Sequence, residues 1–348
     1  MLTVLSVAYS LAPVGPDAVG GAEQVLSALD EALVAAGHRS VVVACQGSSV
    51  AGELVATPPV PCGTIGDAER RGAQAATRKA MEGVLRREPV DVVHMHGLDF
   101  AACLPASGPP VLATLHLPPL WYPREALVSS RPGIWLQCVS MSQHASCPRG
   151  SELLPPIANG VDVERLSEAA HAKRGFALML ARICPEKGVH VALDAARAAS
   201  ASLLIGGEVF SYPEHRAYFA DLIEPRLDHR RRFLGPLGFS RKRRLLCAAR
   251  CLLVPSLAPE TSSLVAMEAL ACGTPVIAFR AGALAEIVEH GRTGFLVRDA
   301  GEMAAAIGRV ETIDPAACRA AARARFSRTR MVDEYFARYA ALAARVAA

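Results

Sequence analysis

Short β-branched runs alternate with longer stretches of helical period along this chain. "TVLSVAY" near the start reads as a strand. From about Ala22 to Ala36 the residues Val25, Leu26, Leu29 and Leu33 repeat on one face and the pattern stops at Gly37, as a core-facing helix does. "SVVVAC" then returns as a strand, while the stretch from Ala51 to Gln74 reads as loop. The alternation recurs with "VDVVHMH" (residues 90 to 96), "PVLATLH" (110 to 116) and "WLQCVS" (135 to 140), the rhythm of successive βαβ units, so one parallel sheet is expected here.

At "ELLPPIANGVDVERL" prolines and an Asn-Gly turn break that rhythm, and it restarts with "FALMLARI", "ASLLIGG", "RRFLGPLG", "CLLVPS" and "PVIAFR". A second sheet begins there. The closing "TRMVDEYFARYAALAARVAA" is helical, with Met331, Tyr335, Tyr339 and Leu342 near one face. The expected fold is therefore α/β, two doubly wound parallel-sheet domains over residues 1–163 and 164–328, with a C-terminal helix of about 329–348 packing back on the first. A chain of 348 residues is long enough for each domain to bury its own core. Open α/β sheets bind ligands beyond the carboxyl ends of their strands, so a cleft between the domains is expected to hold the chemistry.

Composition narrows the function classes. A net charge of only +4 gives no footprint for nucleic acid. The basic clusters "RREP" near Arg86 and "SRKRR" near Arg243 could touch a phosphate or a membrane surface, and their simpler reading is two solvated helix faces. The ten cysteines form no Cys-x-x-Cys pair, which argues against a zinc or redox site; scattered singly among apolar neighbours, they read as small buried hydrophobes in a reducing compartment such as the cytoplasm. "MLTVLSVAYSLAPVG" lacks a basic leading region and its apolar run breaks early, so it reads as a first core strand rather than a signal peptide. No apolar run reaches the length of a membrane span, leaving at most peripheral contact with the inner membrane face.

The segment "PETSSLVAMEALACGTPVIA" concentrates the chemistry. After the strand "CLLVPS" and the loop "LAPE", "TSSLVAMEALAC" reads as a helix closed by Gly273, with Glu260 at its entrance and Glu268 two turns inside. Eight residues at the helical rise separate the carboxylates by about 12 Å along the axis, a ligand-sized span. Between them the free amides of the first turn and the hydroxyls of Thr261, Ser262 and Ser263 form a ready anion site. The structural alternative is that Glu260 only caps the helix and Glu268 lies on an exposed face; the otherwise apolar helix argues against it, since a buried unpaired carboxylate is costly.

A second constellation points to the same chemistry. "FALMLARICPEKGVHVALDAARAAS" places Arg182 at a strand end, Lys187 in a loop and Gly188 just before a helix, two cations and a helix N-terminus that suit a diphosphate. Its alternative is a surface pair of Arg182 with Glu186. "GGAEQVL" at the first strand–helix crossing offers Gly20 and Gly21 as a phosphate or substrate loop, although a lone glycine pair is not the Gly-x-Gly-x-x-Gly dinucleotide fingerprint. His94, His96 and His116 close strands of the first sheet. The His-x-His pair has only Asp99 near it as a further ligand, so metal is not expected. His94 reads as a satisfied core histidine, and His116, held before Pro118 and Pro119, is the better substrate contact.

These residues together resemble the retaining nucleotide-sugar glycosyltransferases of the GT-B fold, family 4, also described as glycosyltransferases group 1. The resemblance rests on the Glu, seven residues, Glu motif at Glu260 and Glu268 with "EALACGTPVIA", on "ARICPEKG", "GGAE", "IANGVDVERL" and "LAEIVEHGRTGFLV", in order over nearly the whole chain. It implies two Rossmann-like domains facing a central cleft, the first for the acceptor and the second for the donor. It further implies that Arg182 and Lys187 hold the donor diphosphate, that Glu268 binds the ribose hydroxyls and Glu260 those of the transferred sugar, and that the backbone from Ser263 through Leu264 to Val265 meets the phosphate. Gly21 and His116 would close over the sugar, and "GPLGFS", with Gly235 and Leu237, would seat the nucleobase.

The implied reaction is transfer from a UDP- or GDP-sugar to a hydroxyl of a small-molecule, saccharide or lipid-linked acceptor. No resident cofactor or metal is implied, and the chain has no Asp-x-Asp. Two departures from the family bear on donor choice: Ser262 or Ser263 stands where many relatives have glycine, and Ala181 precedes Arg182 where glycine is frequent. Two other functions fit the same resemblance, an epimerase of UDP-N-acetylglucosamine type and a non-catalytic nucleotide-sugar binder. The first is disfavoured by the set Arg182, Lys187, Glu260 and Glu268.

Overall fold

The computed structural model describes every residue except 17, 19, 61–64, 129–130, 168–170 and 348, and only the backbone of 346 and 347. The chain divides into two compact units, Met1–Asn159 with Thr329–Ala348, and Gly160–Arg328. The break falls at the Asn-Gly turn, a few residues before the expected Val163. Within the second unit Val161 bonds to Phe326 and Arg328, so the strand of chain entering this unit is tied to the one leaving it.

The first unit holds β1 (Thr3–Val7), β2 (Arg39–Cys45), β3 (Glu53–Thr57), β4 (Val92–Met95), β5 (Val111–Leu115), β6 (Ile134–Cys138) and β7 (Leu153–Leu154). All pair in parallel in the order β3-β2-β1-β4-β5-β6-β7, so the topology switches direction between β1 and β4. Parallel strands are covered on both faces, which is why they read as continuous apolar runs. Val4, Val92 and Leu112 face one core with Val25, Leu29 and Leu33 of the Gly21–Ala35 helix and with Met331, Tyr335, Tyr339 and Leu342 of the final helix. Leu5, Val93 and Ala113 face the other core, with Met81 and Val84.

The loop expected over Ala51 to Gln74 is not what forms. The segment contains β3 and the start of the helix Asp67–Arg87. The helix escaped the period argument because only Thr77, Met81 and Val84 of its side chains are buried, too few to draw an apolar stripe. β3 escaped it because an edge strand pairs on one side only and keeps most of its side chains partly exposed.

The second unit holds β8 (Phe176–Leu180), β9 (Ser202–Gly206), β10 (Arg231–Phe233), β11 (Cys251–Val254), β12 (Val276–Phe279) and β13 (Gly294–Val297). They pair in parallel in the order β10-β9-β8-β11-β12-β13, with the switch between β8 and β11. One core cluster runs through this unit from Val161 to Phe326. The described cysteines are free, and all but Cys147 are buried. No described helix is long and apolar enough to cross a membrane.

Candidate functional site

In the second unit the expected donor residues follow the carboxyl ends of β8, β10 and β11. Arg182 and Lys187 come after β8, Gly235 and Leu237 after β10, and Glu260 to Glu268 after β11. β8 and β11 are the neighbours at which the strand order reverses, the position where doubly wound sheets open a crevice.

Two loops meet at that point. Gly188 takes φ +64, and a Cβ there would collide with the Pro255 carbonyl oxygen, so only glycine lets the two backbones touch. The Leu257 amide donates to the Glu186 carbonyl at 2.8 Å. This contact brings Lys187 Nζ to 2.6 Å from Glu260 Oε1, an ion pair whose side chains are 25% and 13% exposed. The Ser256 hydroxyl donates to the same oxygen. Arg182 is exposed and makes no ion pair among the described residues, so the alternative of an Arg182–Glu186 pair does not form.

Glu260 is not a helix cap. It forms a parallel bridge with Gly282, and its carbonyl accepts from the Ala283 amide at 2.8 Å. The helix itself runs Leu264–Ala271 with Ser263 as N-cap, three residues later than "TSSLVAMEALAC" suggested. Thr261 and Ser262 therefore lie in the approach loop, and helical rise does not set the distance from Glu260 to Glu268. The amides of Leu264 and Val265 stand ahead of the first intrahelical bonds, where a helix lacks internal acceptors. Beside them the Ser262 hydroxyl is buried with no hydrogen-bond partner among the described residues.

Glu268 is 7% exposed, which removes the exposed-face alternative. Its charge is compensated from an unexpected place: Lys242 Nζ sits 2.6 Å from Glu268 Oε1. Lys242 belongs to the "SRKRR" cluster, whose reading as a solvated face is corrected at this residue. No sequence signal linked the two, since the helix Phe239–Ala248 and the helix Leu264–Ala271 are brought together only by packing. Leu237, just ahead of that helix, packs over Gly206, where any Cβ would strike it.

In the first unit Gly20 is the N-cap of the Gly21–Ala35 helix and has no side chain to cap with. Its Cα lies against the Glu23 carboxylate, which a Cβ would displace. On one face of β4 and β5, His94 Nε2 lies 2.7 Å from Thr114 Oγ1 and His94 Nδ1 lies 2.7 Å from the Tyr339 hydroxyl. His94 is fully buried and satisfied, a core histidine. His96 Nδ1 is 3.1 Å from His116 Nε2 with the rings stacked, and His96 Nε2 is buried without a partner among the described residues. Burial pushes the His116 imidazole down to about 4 and holds His94 and His96 well below the ordinary value. Near neutral pH the three are therefore uncharged, suited to hydrogen bonding rather than to proton donation. Among the described residues no group of three His, Cys, Asp or Glu side chains could hold a metal ion.

Known proteins share both sequence and fold with this chain. Residues 19–147 match the family model described as Glycosyltransferase Family 4, and residues 175–312 that described as Glycosyl transferases group 1. Glycogen synthase of Mycobacterium tuberculosis is 34% identical over 193 residues, 51% of this chain and 44% of that protein, so the chain matches less than half the length of this curated relative. The D-inositol 3-phosphate glycosyltransferase of Saccharomonospora viridis is 36% identical over 177 residues, 44% of this chain and 41% of that one. The crystal structure of AviGT4, a glycosyltransferase involved in avilamycin A biosynthesis, superposes with a TM-score of 0.73 at 25% identity over 99% of this chain and 98% of that one. Anabaena HepE in complex with UDP and glucose gives 0.75 at 19% identity over 98% and 100%, a likeness of fold. That shared fold is GT-B.

Proposed function

The chain belongs to the family 4, group 1 glycosyltransferases, and from that premise we propose that it moves a sugar, with retention and without a metal, from a UDP- or GDP-sugar to a hydroxyl acceptor. The observation that carries the reading is the Lys187–Glu260 pair at the β8/β11 switch, next to a helix N-terminus and the buried Glu268. The residue types match the requirements of the chemistry in turn.

As the sugar leaves, negative charge grows on the diphosphate and an oxocarbenium-like centre develops on the ring. Arg182 and Lys187 are the cations for the leaving group, and the amides of Leu264 and Val265 are fixed donors that need no reorganisation when the charge appears. A phosphate oxygen would give the Ser262 hydroxyl the partner it lacks. Glu260 has Oε1 occupied by Lys187 and Ser256, which holds the carboxylate in one orientation and leaves Oε2 for a sugar hydroxyl. Glu268 takes the ribose. Gly235 and Leu237, which follow β10, are assigned to the nucleobase. Gly20, Gly21 and the neutral His116 are proposed as sugar contacts; as the anomeric carbon's bond to the diphosphate oxygen breaks, the acceptor oxygen bonds that carbon from the same face and its proton passes to the leaving phosphate. HepE is bound to UDP and glucose in its structure, which supports a uridine donor for a chain of the same fold.

The test begins with a thermal-shift screen of UDP, GDP, ADP and dTDP, since a ligand that binds only the native state raises its melting point. A shift with UDP or GDP, followed by release of that nucleotide from its sugar conjugate only when acceptor is present, is the expected result. If no nucleotide shifts the protein, the donor-site reading is lost. Nucleotide binding without turnover over a broad acceptor panel, which includes saccharides and lipid-linked alcohols, would make the chain a binder instead.

A further inference from the structure

Glu268 is a carboxylate almost sealed from water on an otherwise apolar helix, and the cation that compensates it comes from a different element. Lys242 reaches it from the helix Phe239–Ala248, which begins directly after the Gly235–Leu237 segment. The side chains of this pair are 22% and 9% exposed. The Lys242 ammonium lies 5.9 Å from the centroid of the Phe239 ring one turn earlier, and that ring is itself held under Arg165 at 4.0 Å. The position of the ammonium is thus set by packing. It donates to Oε1 of Glu268, and Oε2 takes no hydrogen bond among the described residues.

We propose that Lys242 is a positioning residue of the donor site: by holding Oε1 it fixes the orientation of Glu268, with Oε2 as the acceptor for a ribose hydroxyl. The inference rests on the donor-site reading above and adds to it a residue outside the motif residues. An ionised carboxylate has acceptor capacity for several donors, so the ammonium and a ribose diol can share it. Left without Lys242, the carboxylate would lose the partner that fixes its orientation, and it would set an uncompensated negative charge beside an anionic ligand. Either change weakens nucleotide binding, and it does so through the ribose.

Calorimetric titration with UDP and GDP, each beside its 2′-deoxy form, tests this on the full chain. The wild type is expected to favour the ribonucleotide. K242M is expected to bind it about tenfold more weakly, the scale of one lost charged hydrogen bond, and to lose most of the preference over the deoxy form. E268Q should lose the preference likewise, and K242R should restore it. K242Q, which still donates a hydrogen bond but carries no charge, replaces K242M if that variant does not hold its fold. If the uncharged variant binds as tightly as the wild type or more tightly, or keeps the full ribose preference, the role of Lys242 is overturned while donor binding stands. If the wild type binds none of the four nucleotides, the donor-site reading itself fails.

Discussion

Lys187 and Glu260, 73 residues apart in the chain, meet with Nζ 2.6 Å from Oε1. Their meeting depends on two glycines rather than on the charges: Gly188 lets its loop lie on the Pro255 carbonyl, and Gly282 lets a second loop lie on Glu260 itself. The pair is thereby held at the reversal point of the second sheet.

Removing either partner is expected to cost both activity and stability. Lys187→Ala and Glu260→Ala should each lower transfer by about 100-fold or more, the scale of a lost charge-stabilising group. The side chains are only 25% and 13% exposed, so the partner left behind is largely desolvated and unfolding free energy should fall as well, by about 1–3 kcal/mol. Steady-state rates beside urea titrations check this; undiminished transfer in both variants would end the catalytic assignment.

Gly282→Ala should act on stability first. Gly282 sits at φ +58, and a Cβ there would meet the Glu260 carbonyl oxygen and amide nitrogen. Strain and collision together are expected to destabilise the protein by about 1–3 kcal/mol. The denaturation midpoint should fall, and activity should fall with it because the displaced backbone belongs to Glu260.

Acid should weaken the fold through the buried imidazoles. Burial lowers the His116 value from 6.5 in the unfolded chain to about 4 in the native state. Between those values the unfolded state binds more protons than the native one. Stability is therefore full above pH 6.5 and lost as pH falls toward 4, by at most about 3 kcal/mol from this residue. His94 and His96 shift in the same direction. Urea midpoints at pH 7 and pH 4.5 should differ, and His116→Gln should reduce the difference; an unchanged difference would show that His116 does not bind its proton more weakly in the native state.

Tyr339→Phe isolates the packing of the final helix. The Tyr339 hydroxyl is fully buried 2.7 Å from His94 Nδ1, so its removal leaves a buried ring nitrogen without that partner. A loss of about 1–3 kcal/mol is expected. Hydrogen exchange should register it in β4, β5 and the final helix, and no change there would argue against the contact.

Much of this protein was legible in its linear pattern because burial writes itself into periodicity. Parallel strands covered on both faces had to be continuous apolar runs, and Met331, Tyr335, Tyr339 and Leu342 had to share a face if the final helix was to pack on a core. Elements that bury little left little trace: the Asp67–Arg87 helix and β3 vanished into an apparent loop. For Glu260 and Glu268 the sequence showed two carboxylates where apolar neighbours made them conspicuous, but local propensity placed the helix start too early, before the bridge from Glu260 to Gly282 could be seen. Which cation answers each carboxylate was decided only by tertiary structure. Lys187 and Lys242 reach Glu260 and Glu268 across 73 and 26 residues. An ion pair has no period, and its partners are chosen by the packing of loops and helices that the pattern of apolar residues does not specify.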